Sequence, residues 1–116
     1  MKVYTYKNCG SCKKAIKWLK EHEVTFDEVA IRETPPSVQE LSAMYKHKGA
    51  LKPLFNTSGM DYRSLGMKDK LPTMTDQEAL ELLATNGNLV KRPFVIGAGV
   101  ALVGFKEDEW AKILTD

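Results

Sequence analysis

The sequence predicts an α/β fold around a mixed four-stranded sheet, in the order strand, helix, strand, then several helices, then strand, strand, helix. Three observations predict it. Val3-Tyr4-Thr5-Tyr6 alternates as a short strand does and leads through Lys7-Asn8-Cys9-Gly10-Ser11-Cys12 into a helically spaced run, Ala15-Ile16-Lys17-Trp18-Leu19-Lys20. Val24 to Ile31 reads as a second strand, and strand, helix, strand implies a right-handed parallel crossover. Phe94-Val95-Ile96 and Val100-Ala101-Leu102-Val103 flank Gly97-Ala98-Gly99 as a hairpin.

The first helix starts at the cysteines, with Ser11 as N-cap and Gly10 allowing the backbone to bend and to approach a bound group. It stops near Glu21-His22-Glu23. Pro35-Pro36-Ser37 opens the next helix, where Ser37 and Glu40 make a capping box and Val38, Leu41 and Tyr45 mark the buried face. That pattern fades at Lys46-His47-Lys48-Gly49, so His47 reads as a partner of the helix C-terminus. Between Gly49 and Pro72, Pro53, Asn56-Thr57-Ser58-Gly59 and Gly66 allow only short helical turns. Thr75 and Glu78 form a second capping box for a helix to Thr85, with Ala79, Leu82 and Leu83 inward and Asn86-Gly87 ending it. A last helix runs from about Lys106 and turns Trp110, Ile113 and Leu114 inward.

With 116 residues, 43% of them apolar, the chain suits one domain, 1–116, around a single core. A net charge of +2 gives no ground for direct nucleic-acid or membrane binding. The chain enters its first strand almost at once from Met1, leaving no space for a signal sequence, and no run approaches the ~18 apolar residues of a membrane span. These features lead to the expectation of a cytoplasmic protein. Lys13, Lys17 and Lys20 form a basic stripe on the first helix, either a solvated face or a means of steering anions toward the cysteines.

The only two cysteines stand in one C-x-x-C at a strand-to-helix junction. A redox pair, half of a zinc site and two incidental buried thiols all fit that spacing. Only His22 and His47 remain to complete a zinc site, at no finger or ribbon spacing, and no metal is expected. The redox pair accounts best for the context. Free N–H groups and the positive end of the helix dipole stabilise a thiolate, and Lys13 and Lys14 add charge. Cys12 shares a helix face with Ala15, Ile16 and Leu19, so Cys9 is the exposed attacking thiol and Cys12 the resolving one. In a reducing compartment a lone C-x-x-C is better explained by transient chemistry than by a structural disulfide.

The element order is that of a thioredoxin-like core with a helical insertion at about 35–88. In such folds Arg92-Pro93, just before the third strand, occupies the place of a cis-proline facing the redox site. Further residues strengthen the likeness: Tyr6-Lys7-Asn8-Cys9 with Lys13-Lys14-Ala15 and Trp18-Leu19, then Leu54-Phe55-Asn56-Thr57-Ser58-Gly59 and Tyr62-Arg63, then Leu89-Val90-Lys91-Arg92-Pro93 with Gly104-Phe105. Over nearly its whole length the chain resembles the arsenate reductase-like family, which includes the glutathione-linked arsenate reductases (ArsC), YffB-type proteins and the regulator Spx.

The resemblance implies that Cys9 is the nucleophile and that Arg92 binds an oxyanion or stabilises the thiolate. Asn8, Gly10, Ser11, Lys13 and Pro93 would surround the substrate. It further implies a small-molecule thiol or oxyanion substrate, no bound cofactor, and glutathione or thioredoxin as electron donor. A Spx-type protein would instead bind RNA polymerase. The departures bear on this choice. Thr5 stands where the glutathione-linked arsenate reductases have a histidine, and Asn56 and about Gly104 stand where they have two arginines. A divalent oxyanion wants several charge-assisted donors, so these losses weaken the case for arsenate. The middle segment and Lys91-Arg92-Pro93 look like the YffB type. Cys12 is a Spx-like feature, whereas the chain ends at Ile113-Leu114-Thr115-Asp116 without that protein's basic tail.

Overall fold

A computed structural model describes residues 1–115. The sheet has the order β2-β1-β3-β4, with strands β1 (Lys2–Thr5), β2 (Asp27–Ala30), β3 (Phe94–Gly97) and β4 (Val100–Val103). β1 pairs in parallel with β2 and antiparallel with β3, and β3 pairs antiparallel with β4. Helices α1 (Gly10–Glu21), α2 (Val38–Lys48), α3 (Met60–Ser64), α4 (Met67–Lys70), α5 (Asp76–Thr85) and α6 (Glu107–Leu114) complete the predicted order. The architecture is the thioredoxin-like α/β fold with its helical insertion between β2 and β3.

Alternation along the strands divides the apolar residues between two layers. Val3, Val95 and Leu102 pack with Ala15, Trp18 and Leu19 of α1 and Trp110 of α6. Tyr4 and Phe94, one residue out of phase, face the opposite layer with Ile31, Leu41, Met44, Leu83 and Leu89. On the first face the Trp110 ring stands edge-on to Phe105 at 4.9 Å, and its indole N–H donates to the Gly104 carbonyl at 3.0 Å. That bond satisfies the polar end of a fully buried side chain.

Both capping boxes are present: the Ser37 and Thr75 hydroxyls accept the amides of Glu40 and Glu78, whose carboxylates accept the cap amides in return. The hairpin closes through Ala98 and Gly99 at φ 53° and 77°, the two left-handed residues of a tight primed turn. Other expectations are corrected. The second strand spans Asp27–Ala30 and not Val24–Ile31, because Val24 belongs to the end of α1, where its amide donates to the Leu19 carbonyl at 3.0 Å. Glu23, with φ 55°, donates to Lys20 at 3.2 Å, so the helix ends in a Schellman motif that carries glutamate in its left-handed position. Buried Met44, not half-buried Val38 or Tyr45, joins Leu41 inside α2. Leu80 is more buried than Leu82, and Ile113 is 44% exposed instead of packed. The ends of these helices stand where expected; each apolar stripe is wide enough to hold several positions, and the packing partners decide which of them is covered.

Between α2 and β3, Phe55 and Val90 form an isolated antiparallel bridge. The Asn56 amide donates to Leu89 at 2.7 Å and the Lys91 amide to Leu54 at 2.8 Å. These bonds tie the helical insertion to the segment that carries Arg92 and Pro93.

Candidate functional site

β1 and β2 point the same way, and the chain enters β3 at the same edge of the sheet. The turn after β1, the residues after β2 and the approach to β3 therefore meet, at the strand ends where open α/β sheets place their ligands. They bring Arg92 to Cys9, and Arg32 and Arg92 to the ring of Tyr6. In the first turn the Cys9 amide donates to the Tyr6 carbonyl at 3.0 Å, and α1 begins at Gly10. The N-cap is Cys9, not Ser11: its Sγ accepts the Cys12 amide at 3.3 Å. Ser11 is an exposed residue of the first helical turn. The sulfur thus takes the place that a hydroxyl or carboxylate oxygen usually holds at a helix start, directed at a free N–H.

The two thiols have opposite environments. Cys12 is 2% exposed, whereas Cys9 is half-buried, and they are not bonded to each other. Burial works against ionisation of Cys9, but hydrogen bonds from the Cys12 thiol and amide, together with the Arg92 guanidinium, outweigh it and hold the thiol below its ordinary value. Burial, and then the hydrogen bond to Cys9, push Cys12 up to about 12. Of the expectations for this pair, the difference in burial is the one that the structure shows, with Cys12 inside and Cys9 nearer the surface.

The Arg92-Pro93 bond is cis, Pro93 is buried, and the Pro93 carbonyl accepts the Gly104 amide at 2.9 Å. Arg92 lies 4.9 Å from the centre of the Tyr6 ring. It lines one cavity of about 480 Å³ with Ser11, Lys91 and Gly104, and another of about 230 Å³ with Tyr6, Arg32 and Asn56. Asn8 donates to the Tyr6 hydroxyl at 3.2 Å. Gly10 has no left-handed backbone, and a Cβ placed on it would meet nothing within 4 Å, so this turn needs no glycine for its own packing. Lys13 faces away from these cavities. With Lys17 and Lys20 it borders a separate groove of about 440 Å³ along α1, which reaches Cys12 and Ile16. Thr5 shares that groove and donates to Glu28 at 2.7 Å. Among the described residues no cluster of three His, Cys, Asp or Glu side chains could hold a metal ion.

Two residues of the site carried no role in the sequence. Arg32 donates to the Tyr6 hydroxyl at 2.7 Å and lies 4.6 Å from the same ring centre. The Asn8 hydrogen bond above all, with the charges of Arg32 and Lys7, holds the Tyr6 phenol below its ordinary value despite some burial. The available signal was positional, since Arg32 follows the end of a parallel strand.

Comparison with known proteins follows the same lines. Residues 4–113 match the model of the ArsC family. YusI, an uncharacterised protein of Bacillus subtilis (strain 168), is 51% identical over 108 residues, covering 92% of each chain. The global transcriptional regulator Spx of Enterococcus faecalis is 36% identical over 114 residues, 97% of this chain and 84% of Spx. The crystal structure of a protein related to the ArsC family from Bacteroides fragilis superposes with a TM-score of 0.90 at 45% identity, covering 97% of this chain and 95% of that one.

Proposed function

The chain belongs to the ArsC family, and on that premise we propose that it is a small thiol-dependent reductase whose nucleophile is Cys9. The observation that carries this proposal is the asymmetry of the pair: an accessible Cys9 sulfur capping α1 beside Arg92, over a buried and neutral Cys12. The Cys9 thiolate attacks one sulfur of a disulfide substrate. The S–S bond breaks, the other half leaves as a thiolate, and a mixed disulfide remains on Cys9. Cys12 loses its proton as it attacks Cys9, releasing the second half as a thiol and closing the Cys9–Cys12 disulfide. The substrate has then gained two electrons, and glutathione or thioredoxin returns them to the protein. With an arsenate-like oxyanion, Cys9 instead displaces water to form a sulfur-bound adduct, held by the turn amides and Arg92, which glutathione or Cys12 resolves. Asn8, Gly10, Ser11 and Pro93 bound the space around Cys9. Lys13 borders the neighbouring groove, where it steers anions. The site works in a reducing cytoplasm.

A turnover assay tests the proposal, with NADPH oxidation coupled to glutathione or thioredoxin and a disulfide or arsenate as acceptor. Cys9→Ser should abolish the rate, and Cys12→Ser should slow it or shift it to dependence on glutathione. A Cys9→Ser protein as active as the parent would sink the assignment. The alignment with Spx over 97% of the chain favours a second reading, a redox-sensing regulator that binds RNA polymerase and uses Cys9 and Cys12 as its switch. Capture of RNA polymerase that depends on the oxidation state, with no turnover, would select that reading.

A further inference from the structure

A cavity of about 230 Å³ is bordered by Tyr6, Arg32, Asn56, Asp61, Asn88 and Arg92, drawn from the turn after β1, the turn after β2, the helical insertion and the approach to β3, and Arg92 links it to Cys9. Two guanidiniums lie within 5 Å of one phenol ring, at 4.6 Å and 4.9 Å from its centre. Each guanidinium gains a cation–π contact with the ring. A hydrogen bond to the Tyr6 hydroxyl further fixes Arg32. The salt bridges of the described residues, Lys2 with Glu40 and Lys48 with Glu109, involve neither arginine. The one acid on the wall, Asp61, already accepts a bond from Asn86 at 3.1 Å. Two fork-shaped donors facing one small cavity are suited to a planar anion. With one acid against two cations, a singly charged carboxylate fits better than a phosphate dianion, and the Asn56 and Asn88 amides can complete its hydrogen bonds.

We infer that Arg32 and Arg92, both held against Tyr6 at the wall of this cavity, form a carboxylate clamp that holds the acidic end of a thiol or disulfide substrate while its sulfur reaches Cys9. The inference rests on the reductase proposed above and adds the chemical class of the substrate. Arg92 serves both parts, since its guanidinium favours the Cys9 thiolate and also lines the cavity. Arg32 belongs to the clamp alone, which makes it the residue to vary.

The test measures mixed-disulfide formation on Cys9 by mass spectrometry in a Cys12→Ser background, where the adduct is trapped. Dithiodipropionate, which carries carboxylates, is compared with hydroxyethyl disulfide, which is neutral. Arg32→Ala should slow the first reaction about ten-fold and the second less than about two-fold, with Arg32→Lys between the parent and the alanine variant. An equal loss with both probes would assign Arg32 to the fold or to Cys9 itself, and no loss with either would remove it from substrate binding; each result overturns the clamp and leaves the reductase standing. If the parent reacts with neither disulfide, both readings fall. A larger effect of Arg32→Ala on arsenate or phosphate affinity than on the dithiodipropionate rate would overturn the carboxylate assignment.

Discussion

Gly87 is the residue at which one added methyl group should do the most damage. It opens the turn Gly87–Leu89, and a Cβ built there would lie 1.9 Å from the Ile31 carbonyl oxygen, 2.7 Å from its carbon and 3.3 Å from Arg32 Cα. All three are backbone atoms, so no side chain can rotate away. Non-bonded carbons settle near ~3.5 Å, and Gly87→Ala therefore forces one strand-end segment to retreat by about 1 Å or more. Overpacking of this kind costs about 3 kcal/mol, at the upper end of its usual range, because both partners are main chain. With about 2.1 cal/mol/K of unfolding entropy per residue over 116 residues, Tm should drop by about 12 °C. Differential scanning calorimetry measures that drop, and urea unfolding checks the free energy. Gly10→Ala is the control: its Cβ meets nothing within 4 Å, so it should be neutral or stabilise by up to about 1 kcal/mol. The steric account is refuted if Gly87→Ala melts within about 2 °C of the parent, or if both variants lose the same stability. The segments forced apart carry Arg32 on one side and lead to Arg92 on the other, so reaction at Cys9 should also slow in whatever fraction stays folded.

Glu23→Gly relieves the left-handed position at the end of α1, where φ is 55°, and should stabilise the protein by about 1 kcal/mol in urea unfolding. Arg92→Ala should raise the pKa of Cys9, read from ultraviolet thiolate absorbance, and weaken sulfate binding; Arg92→Lys keeps the charge without the fork and should harm binding more than it raises the pKa. The folded state raises the Cys12 pKa from 9.0 to about 12, so the stability contributed by the buried neutral thiol is complete below pH 9.0 and disappears as pH climbs toward 12. Urea titrations should therefore show the advantage of the parent over Cys12→Ala shrinking across that window, and a constant gap would contradict the assigned burial. Alkylation of Cys9→Ser and Cys12→Ser proteins should leave the fast phase only where Cys9 remains.

The parts of the fold governed by local chemistry were legible in the sequence. Ser37 with Glu40 and Thr75 with Glu78 each satisfy helix amides within four residues, and the Ala98-Gly99 turn depends only on its own backbone. The cysteine pair was legible for the same reason, since its asymmetry follows from helix phase. What failed depended on distant neighbours. Sulfur took the capping position from the Ser11 hydroxyl because the turn from Tyr6 already held Cys9 at the helix start. Ile113 is apolar at a plausible inward phase, yet Trp110 and Phe105 fill that layer without it. Tyr6 and Arg32 are 26 residues apart and meet only because β1 and β2 run parallel, which no local pattern announces.

The bridge between Phe55 and Val90 makes the permanence of the site a matter of local unfolding. Its flanking bonds, from Asn56 to Leu89 and from Lys91 to Leu54, are shared between the helical insertion and the residues that precede Arg92. If that insertion lifts from the sheet, the cavity loses Asn56 and Asp61 from its wall and Arg92 loses its backbone anchor in the same event. The site is then lost at the free energy of a partial opening that leaves β1 and α1 folded, and not at that of unfolding the whole protein. Amide exchange would register this opening as one protection factor common to Asn56 and Lys91, lower than that of Val3 or Val95 at the centre of the sheet.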